Sequence, residues 1–148
     1  MITRRSFVCA TAAALALGKF AHVDAEDAPL VSVYKNPACG CCGEWVRHMR
    51  ANGFRVETRE IADVTPVRRR YGVPDQLASC HTAVVGGYAI EGHVPASDVQ
   101  RLLRERPKVR GLAVPGMVPG SPGMVQGRPQ PYATLAFDDR GSRTFARH

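Results

Sequence analysis

The sequence predicts an α/β fold with a central mixed sheet and flanking helices, formed by one domain over residues 26–148. Three observations carry this. Residues 30–34 are a short β-branched apolar run, followed by a loop, an amphipathic stretch and an alternating run over residues 54–58. That order is a parallel strand pair joined by a right-handed crossover. Residues 82–85 and 88–91 flank Gly86-Gly87, the pattern of a tight hairpin. A further amphipathic stretch after Pro95 supplies a covering helix.

Each element has local support. Asn36-Pro37 breaks the first strand. Trp45, Val46 and Met49 then fall at helical spacing, with Arg47, His48 and Arg50 between them. This spacing puts His48 on the polar, solvent side. Asn52-Gly53 suits the end of that helix, glycine accepting the left-handed cap. Thr65-Pro66 opens a short helical segment through Arg70. Pro74 reads as an ordinary helix-starting proline before Asp75-Gln76-Leu77 rather than a cis one. In the covering helix Ser97 reads as the cap and Val99, Leu102 and Leu103 as the buried stripe, with Pro107 as its stop. Residues 111–131 are rich in glycine and proline and read as one long irregular loop. Residues 132–137 and 142–147 close the domain as a strand pair around Asp138-Asp139-Arg140-Gly141.

The chain has 148 residues, and the first 25 read as a cleavable leader. Arg4-Arg5-Ser6-Phe7 precedes a weakly apolar, alanine-rich stretch, and Val23-Asp24-Ala25 offers a cleavage site. The arrangement resembles a twin-arginine signal. It implies an exported, periplasmic protein. The apolar stretch is too short to span a bilayer, so no stable membrane insertion is expected after cleavage. Loss of Arg4, Arg5, Lys19 and Asp24 lowers the formal net charge from +7 to +5. Arginines cluster at Arg68-Arg69-Arg70 and between Arg101 and Arg110 without interleaved aromatics. They read as solvated faces, and nucleic acid is not an expected partner.

The chemistry concentrates in Cys39-Gly40-Cys41-Cys42 and in Cys80-His81. Cys9 leaves with the leader, so four cysteines remain. An exported chain with an even number of cysteines suggests disulfides. Three thiols in four residues argue instead for a soft metal, since thiolates select Cu(I), zinc and iron–sulfur clusters. A dithiol enzyme would need only Cys39 and Cys42, and Cys41 beside them would scramble its mixed disulfide. For a metal site Cys41 is a ligand gained. Cys39 in the loop and Cys42 in the first helical turn would both feel the positive helix terminus, which favours thiolate. Gly40 reads as the residue that allows unusual backbone angles and leaves room beside the sulfurs. Met117 and Met124 offer thioethers from two Pro-Gly-Met repeats in the loop, with gap-filling as the plain alternative. His81 follows Cys80, but strand alternation would turn it to the opposite face as a structural hydrogen-bonder. His93 lies near a helix-opening proline, where capping is the simpler role. Trp45 reads as core.

Three readings follow: a copper protein with a multi-thiolate Cu(I) site, a thiol–disulfide oxidoreductase using Cys39 and Cys42, and a structural Zn(II) module of all four cysteines. A domain of this size has core enough to fold without zinc.

The element order with its Cys-x-x-Cys resembles a thioredoxin-like fold. The whole constellation resembles the CopG-type periplasmic copper-resistance proteins. The matching stretches are residues 34–42 with the Cys-x-Cys-Cys motif, Gly72-Val73-Pro74, residues 79–85, residues 91–95, residues 111–117 and residues 120–124. The resemblance implies copper bound through the cysteines, read here as Cu(I) at Cys39, Cys41, Cys42 and Cys80 with a multinuclear cluster within reach. The soft donors Met117 and Met124, and His81 beside Cys80, are further candidate ligands on their own chemistry. It also implies copper resistance, interconversion of Cu(I) and Cu(II), and other periplasmic copper-handling proteins as partners.

Overall fold

The computed structural model describes residues 27–148, and the leader expected over residues 1–25 lies outside them. The described chain forms a seven-stranded mixed sheet. Its strands are β1 (Leu30–Lys35), β2 (Arg55–Glu60), β3 (His81–Val85), β4 (Tyr88–Gly92), β5 (Gly111–Val114), β6 (Ala133–Asp138) and β7 (Gly141–Arg147). The helices are α1 (Gly40–Ala51), α2 (Thr65–Arg70) and α3 (Ala96–Glu105), with a 3-10 turn at Asp75–Leu77. The spatial order is β2-β1-β3-β4-β5-β6-β7. β1 runs parallel to β2, and β4 parallel to β5; the other neighbours are antiparallel. Among the described helices none is long and apolar enough to cross a membrane.

Two parallel crossovers therefore build the sheet, one through α1 and one through α3. The second was hidden in the sequence. Gly111–Val114 was expected to open an irregular loop, yet it is a strand buried at every position. A strand buried on both faces has no alternation to betray it, and glycine-proline punctuation follows at once. Gly111 is needed there because a Cβ would meet the Ala89 carbonyl oxygen at 1.9 Å.

Alternation sorts the strand residues onto two faces. Val31, Val33, Ala83, Val85, Ile90 and Leu112 pack with Trp45 and Met49 of α1 and Val99 and Leu102 of α3. Ala89, Ala113 and Phe137 face the opposite way, onto Val73 and Leu77. Trp45 is the largest fully buried side chain, and its indole N–H donates to the Val94 carbonyl at 2.8 Å. It is core, as expected; truncation to alanine would cost about 3–5 kcal/mol. It also pins α1 and its cysteines against the sheet.

Two local readings change. Ser97 caps nothing: α3 begins at Ala96 after Pro95, without a side-chain cap. The Ala96 N–H donates instead to His48 Nε2 of α1 at 3.0 Å. His48 is thus half-buried between two helices rather than free in solvent, because the crossovers set α3 beside α1. Pro74 precedes the 3-10 turn, and its peptide is trans.

Candidate metal centre

Lys35 ends β1 opposite the start of β3. The chain then turns through Asn36, whose side chain accepts the Ala38 N–H at 2.9 Å and whose carbonyl accepts the Cys39 N–H at 3.0 Å. This turn delivers Cys39 as the cap residue of α1. No acidic residue stands in the first turn of α1, so nothing offsets the positive helix terminus beside the sulfurs. Gly40 is an ordinary helical residue here. It has no positive φ, and a Cβ on it would meet nothing within 4 Å. The expected conformational role of Gly40 is absent because Gly40 is already the first residue of α1, where helical backbone suits any side chain.

Cys39 and Cys42 are joined by a disulfide, while Cys41 and Cys80 are free. Cys41 Sγ lies 3.5 Å from Cys39 Sγ and 3.9 Å from Cys80 Sγ. Cys42 Sγ lies 3.6 Å from the Cys80 carbonyl oxygen. All four sulfurs fall within 4.8 Å of one another. A second group of donors shares Cys80: its sulfur is 3.0 Å from His93 Nε2 and 3.5 Å from His81 Nδ1.

His93 is the residue that sequence reasoning missed. It caps nothing. Its Nδ1–H donates to the Pro122 carbonyl at 2.7 Å, which leaves the Nε2 lone pair facing Cys80. The hairpin register contained the signal. Gly86-Gly87 fixes Val85 opposite Tyr88 and Thr82 opposite Glu91. Extending that register beyond the strands brings Cys80 opposite His93.

His81 is fully buried against Trp45, with ring centroids 4.4 Å apart. Alternation implied the face opposite Cys80, yet the His81 Nδ1 meets Cys80 Sγ at 3.5 Å. Cys80 precedes β3, so strand alternation does not govern the pair, and His81 Nε2 has no hydrogen-bond partner among the described residues. Met117 and Met124 line a groove of about 550 Å³ together with Cys41, Gly40 and Glu44. Met117 is exposed and Met124 half-buried. The loop that carries them approaches α1 closely at Gly123, where a Cβ would lie 2.8 Å from the Trp45 nitrogen.

Burial, and then the Cys41 thiol beside it, push the Cys80 thiol up to about 12. Burial pulls His81 down to about 3, with lesser contributions from His93 and Lys35. Burial also lowers His93, against the opposing Pro122 bond. Burial thus favours the neutral thiol and the neutral imidazoles. A cation among them would reverse that balance by favouring thiolate. The donor set therefore fits a soft metal: sulfur first, imidazole second, and no carboxylate in either group.

The chain is similar over most of its length to two solved structures of copper resistance protein CopG. One, described as Form 2, is 42% identical, with 82% of this chain and 98% of that chain covered and a TM-score of 0.77. Form 1 is 43% identical, with 80% and 96% covered and a TM-score of 0.75. A family model described as a protein of unknown function, DUF411, matches residues 77–124, the stretch from just before Cys80 to Met124. No curated protein matches. With this identity and coverage, the chain belongs to the CopG copper resistance protein family.

Proposed function

We propose that this protein binds copper as Cu(I) through Cys39, Cys41, Cys42 and Cys80 in copper resistance. The convergence of four sulfurs within 4.8 Å carries the reading. The copper-resistance naming of its relatives supports it. The cysteine loop between a first strand and a helix, with strand order β2-β1-β3-β4, agrees with a thioredoxin-like core extended by β5–β7. Residues 1–25 act as a twin-arginine leader, and residues 26–148 work in the periplasm on copper ions passed by other copper-handling proteins. Met117, Met124 and His81 are further ligands or line the approach, and the donor count leaves room for more than one ion.

The disulfide adds a redox step. Closing Cys39–Cys42 from two thiols releases two protons and two electrons, enough to convert two Cu(II) to two Cu(I). Closing it also removes two thiolates from the metal-binding set, so the copper load and the oxidation state of the pair are linked.

The test is copper content and free-thiol count of the mature protein from copper-supplemented periplasm. About one or more copper per chain, lost in Cys41→Ser, is the expected outcome. The Cys39–Cys42 disulfide favours a second reading, a thiol–disulfide oxidoreductase using that pair. Absence of metal, with insulin-disulfide reduction spared in Cys41→Ser, would establish the oxidoreductase instead.

A further inference from the structure

Cys80 stands just outside β3, where no sheet ladder holds the chain. Buried side chains take over that task at the preceding residue. Glu91 is fully buried on β4 and accepts the Ser79 N–H at 2.6 Å through Oε1. The same oxygen accepts from Arg68 Nε at 2.9 Å, and Oε2 accepts the Thr82 hydroxyl at 2.6 Å. Arg68 of α2 then donates through Nη2 to the Ser79 carbonyl at 2.8 Å. The N–H and the C=O of Ser79 are thus both held by one buried ion pair. The Ser79 hydroxyl donates to the Gly116 carbonyl at 2.5 Å, and Gly92 leaves the necessary space, since a Cβ there would lie 2.7 Å from Ser79 Cβ.

We infer that Arg68 and Glu91 are positioning residues for Cys80: their ion pair grips the Ser79 peptide on both sides and fixes the Cys80 sulfur between Cys41 and His93. The inference rests on the reading of Cys80 as a Cu(I) ligand. A buried ion pair is a weak source of stability, and apolar residues of equal volume often serve as well. Its bonds are directional, which apolar packing is not. Arg68 spans two acceptors through two different nitrogens, a geometry that the single ammonium of lysine does not reproduce. Glu91 is itself fixed by the hairpin register, directly opposite Thr82. The clamp thereby transmits the position of the hairpin to a cysteine that the hairpin does not contain.

Arg68→Lys and Glu91→Gln test this, each with its fold checked by circular dichroism. Two quantities are read: iodoacetamide alkylation of Cys80 relative to Cys41 in metal-free protein with Cys39–Cys42 closed, and Cu(I) affinity by chelator competition in reduced protein. In both variants Cys80 alkylation is expected to rise toward the Cys41 rate. Cu(I) affinity is expected to fall by about 10–100-fold, the loss typical of a partner that orients a ligand. Folded variants with a lower Tm but unchanged Cys80 alkylation and Cu(I) affinity would make the pair merely structural and overturn the inference. If the unaltered protein binds no Cu(I), the copper reading fails, while the alkylation measurement still decides the clamp. Amide exchange in the unaltered protein decides it should neither variant fold: Ser79 is expected to exchange as slowly as the β4 amides, and fast exchange would refute the clamp.

Discussion

The Cys39–Cys42 segment and the Cys80–His93 pair meet at one point but are held there by different means. The first is positioned locally. Asn36 forms the turn that delivers Cys39 as the cap residue of α1, and the Trp45 bond to Val94 then seats the finished helix on the sheet. The second is positioned from a distance. Cys80 depends on Arg68 and Glu91, while His93 depends on Pro122 from the long loop. Local positioning needs only a short stretch of chain, so it survives wherever α1 forms. Distant positioning requires the whole sheet to be in register. The turn and cap that carry Cys39, Cys41 and Cys42 can therefore form without the imidazole half, but both donor groups need Cys80.

The largest effect is expected at that shared residue. Cys80→Ser takes a donor from both groups at once, so its loss of Cu(I) affinity should exceed the 10–100-fold typical of a supporting partner. His93→Gln should spare the four sulfurs and lose less. Competition titrations against a Cu(I) chelator check both. Equal losses in the two variants would mean that the halves do not act separately.

The loop over α1 gives a second test. Gly123 has a φ of +88, and its added Cβ would meet backbone atoms, the Trp45 nitrogen at 2.8 Å and the Cys41 oxygen at 3.0 Å. Gly127 has a φ of +84, but a Cβ there would meet only the Pro119 side chain, at 3.3 Å or more. Gly123→Ala should therefore cost about 1–3 kcal/mol from strained backbone and crowding. It should also push Pro122 away from His93. Gly127→Ala carries the backbone strain with a single close side-chain neighbour, Pro119, and should leave Cu(I) affinity unchanged. Urea melts with chelator competition separate the two. The same loss of affinity in both variants would show that the close approach at Gly123 does not matter.

What was readable in the sequence follows the same division. The α1 boundaries, the hairpin and the cysteine cluster came from short-range signals: Asn36-Pro37, Gly86-Gly87 and the helical spacing of Trp45, Val46 and Met49. His93 was misassigned because its role depends on the register of the hairpin and on a carbonyl 29 residues later. β5 was missed because full burial removes alternation. Arg68 looked like part of a solvated arginine cluster, yet it alone of Arg68-Arg69-Arg70 is buried, paired with Glu91. A run of three like residues gives no sign of which one turns inward. Ser97 and His48 erred together, since the helix cap comes from another helix.

His48 carries the smallest effect and a defined sign. It accepts the Ala96 N–H through Nε2, which only the neutral ring can do. Burial lowers its pKa from 6.5 in the fold. The unfolded chain therefore takes up a proton at a higher pH than the fold does. The contribution of His48 to stability is full above about 6.5 and is lost as pH falls through its folded value. Glutamine offers an acceptor oxygen that does not titrate. The Tm of metal-free His48→Gln should thus fall less between pH 7 and pH 5 than that of the unaltered protein (pH values chosen to bracket the ordinary histidine range). His81 and His93 are lowered by burial in the same sense, and Glu91 is raised by burial in the opposite sense, so these groups contribute to both proteins alike. Metal-free protein is required, because protons compete with metal at the same imidazoles. Identical slopes would place the α1–α3 contact outside the pH response and leave it to the other buried titratable groups.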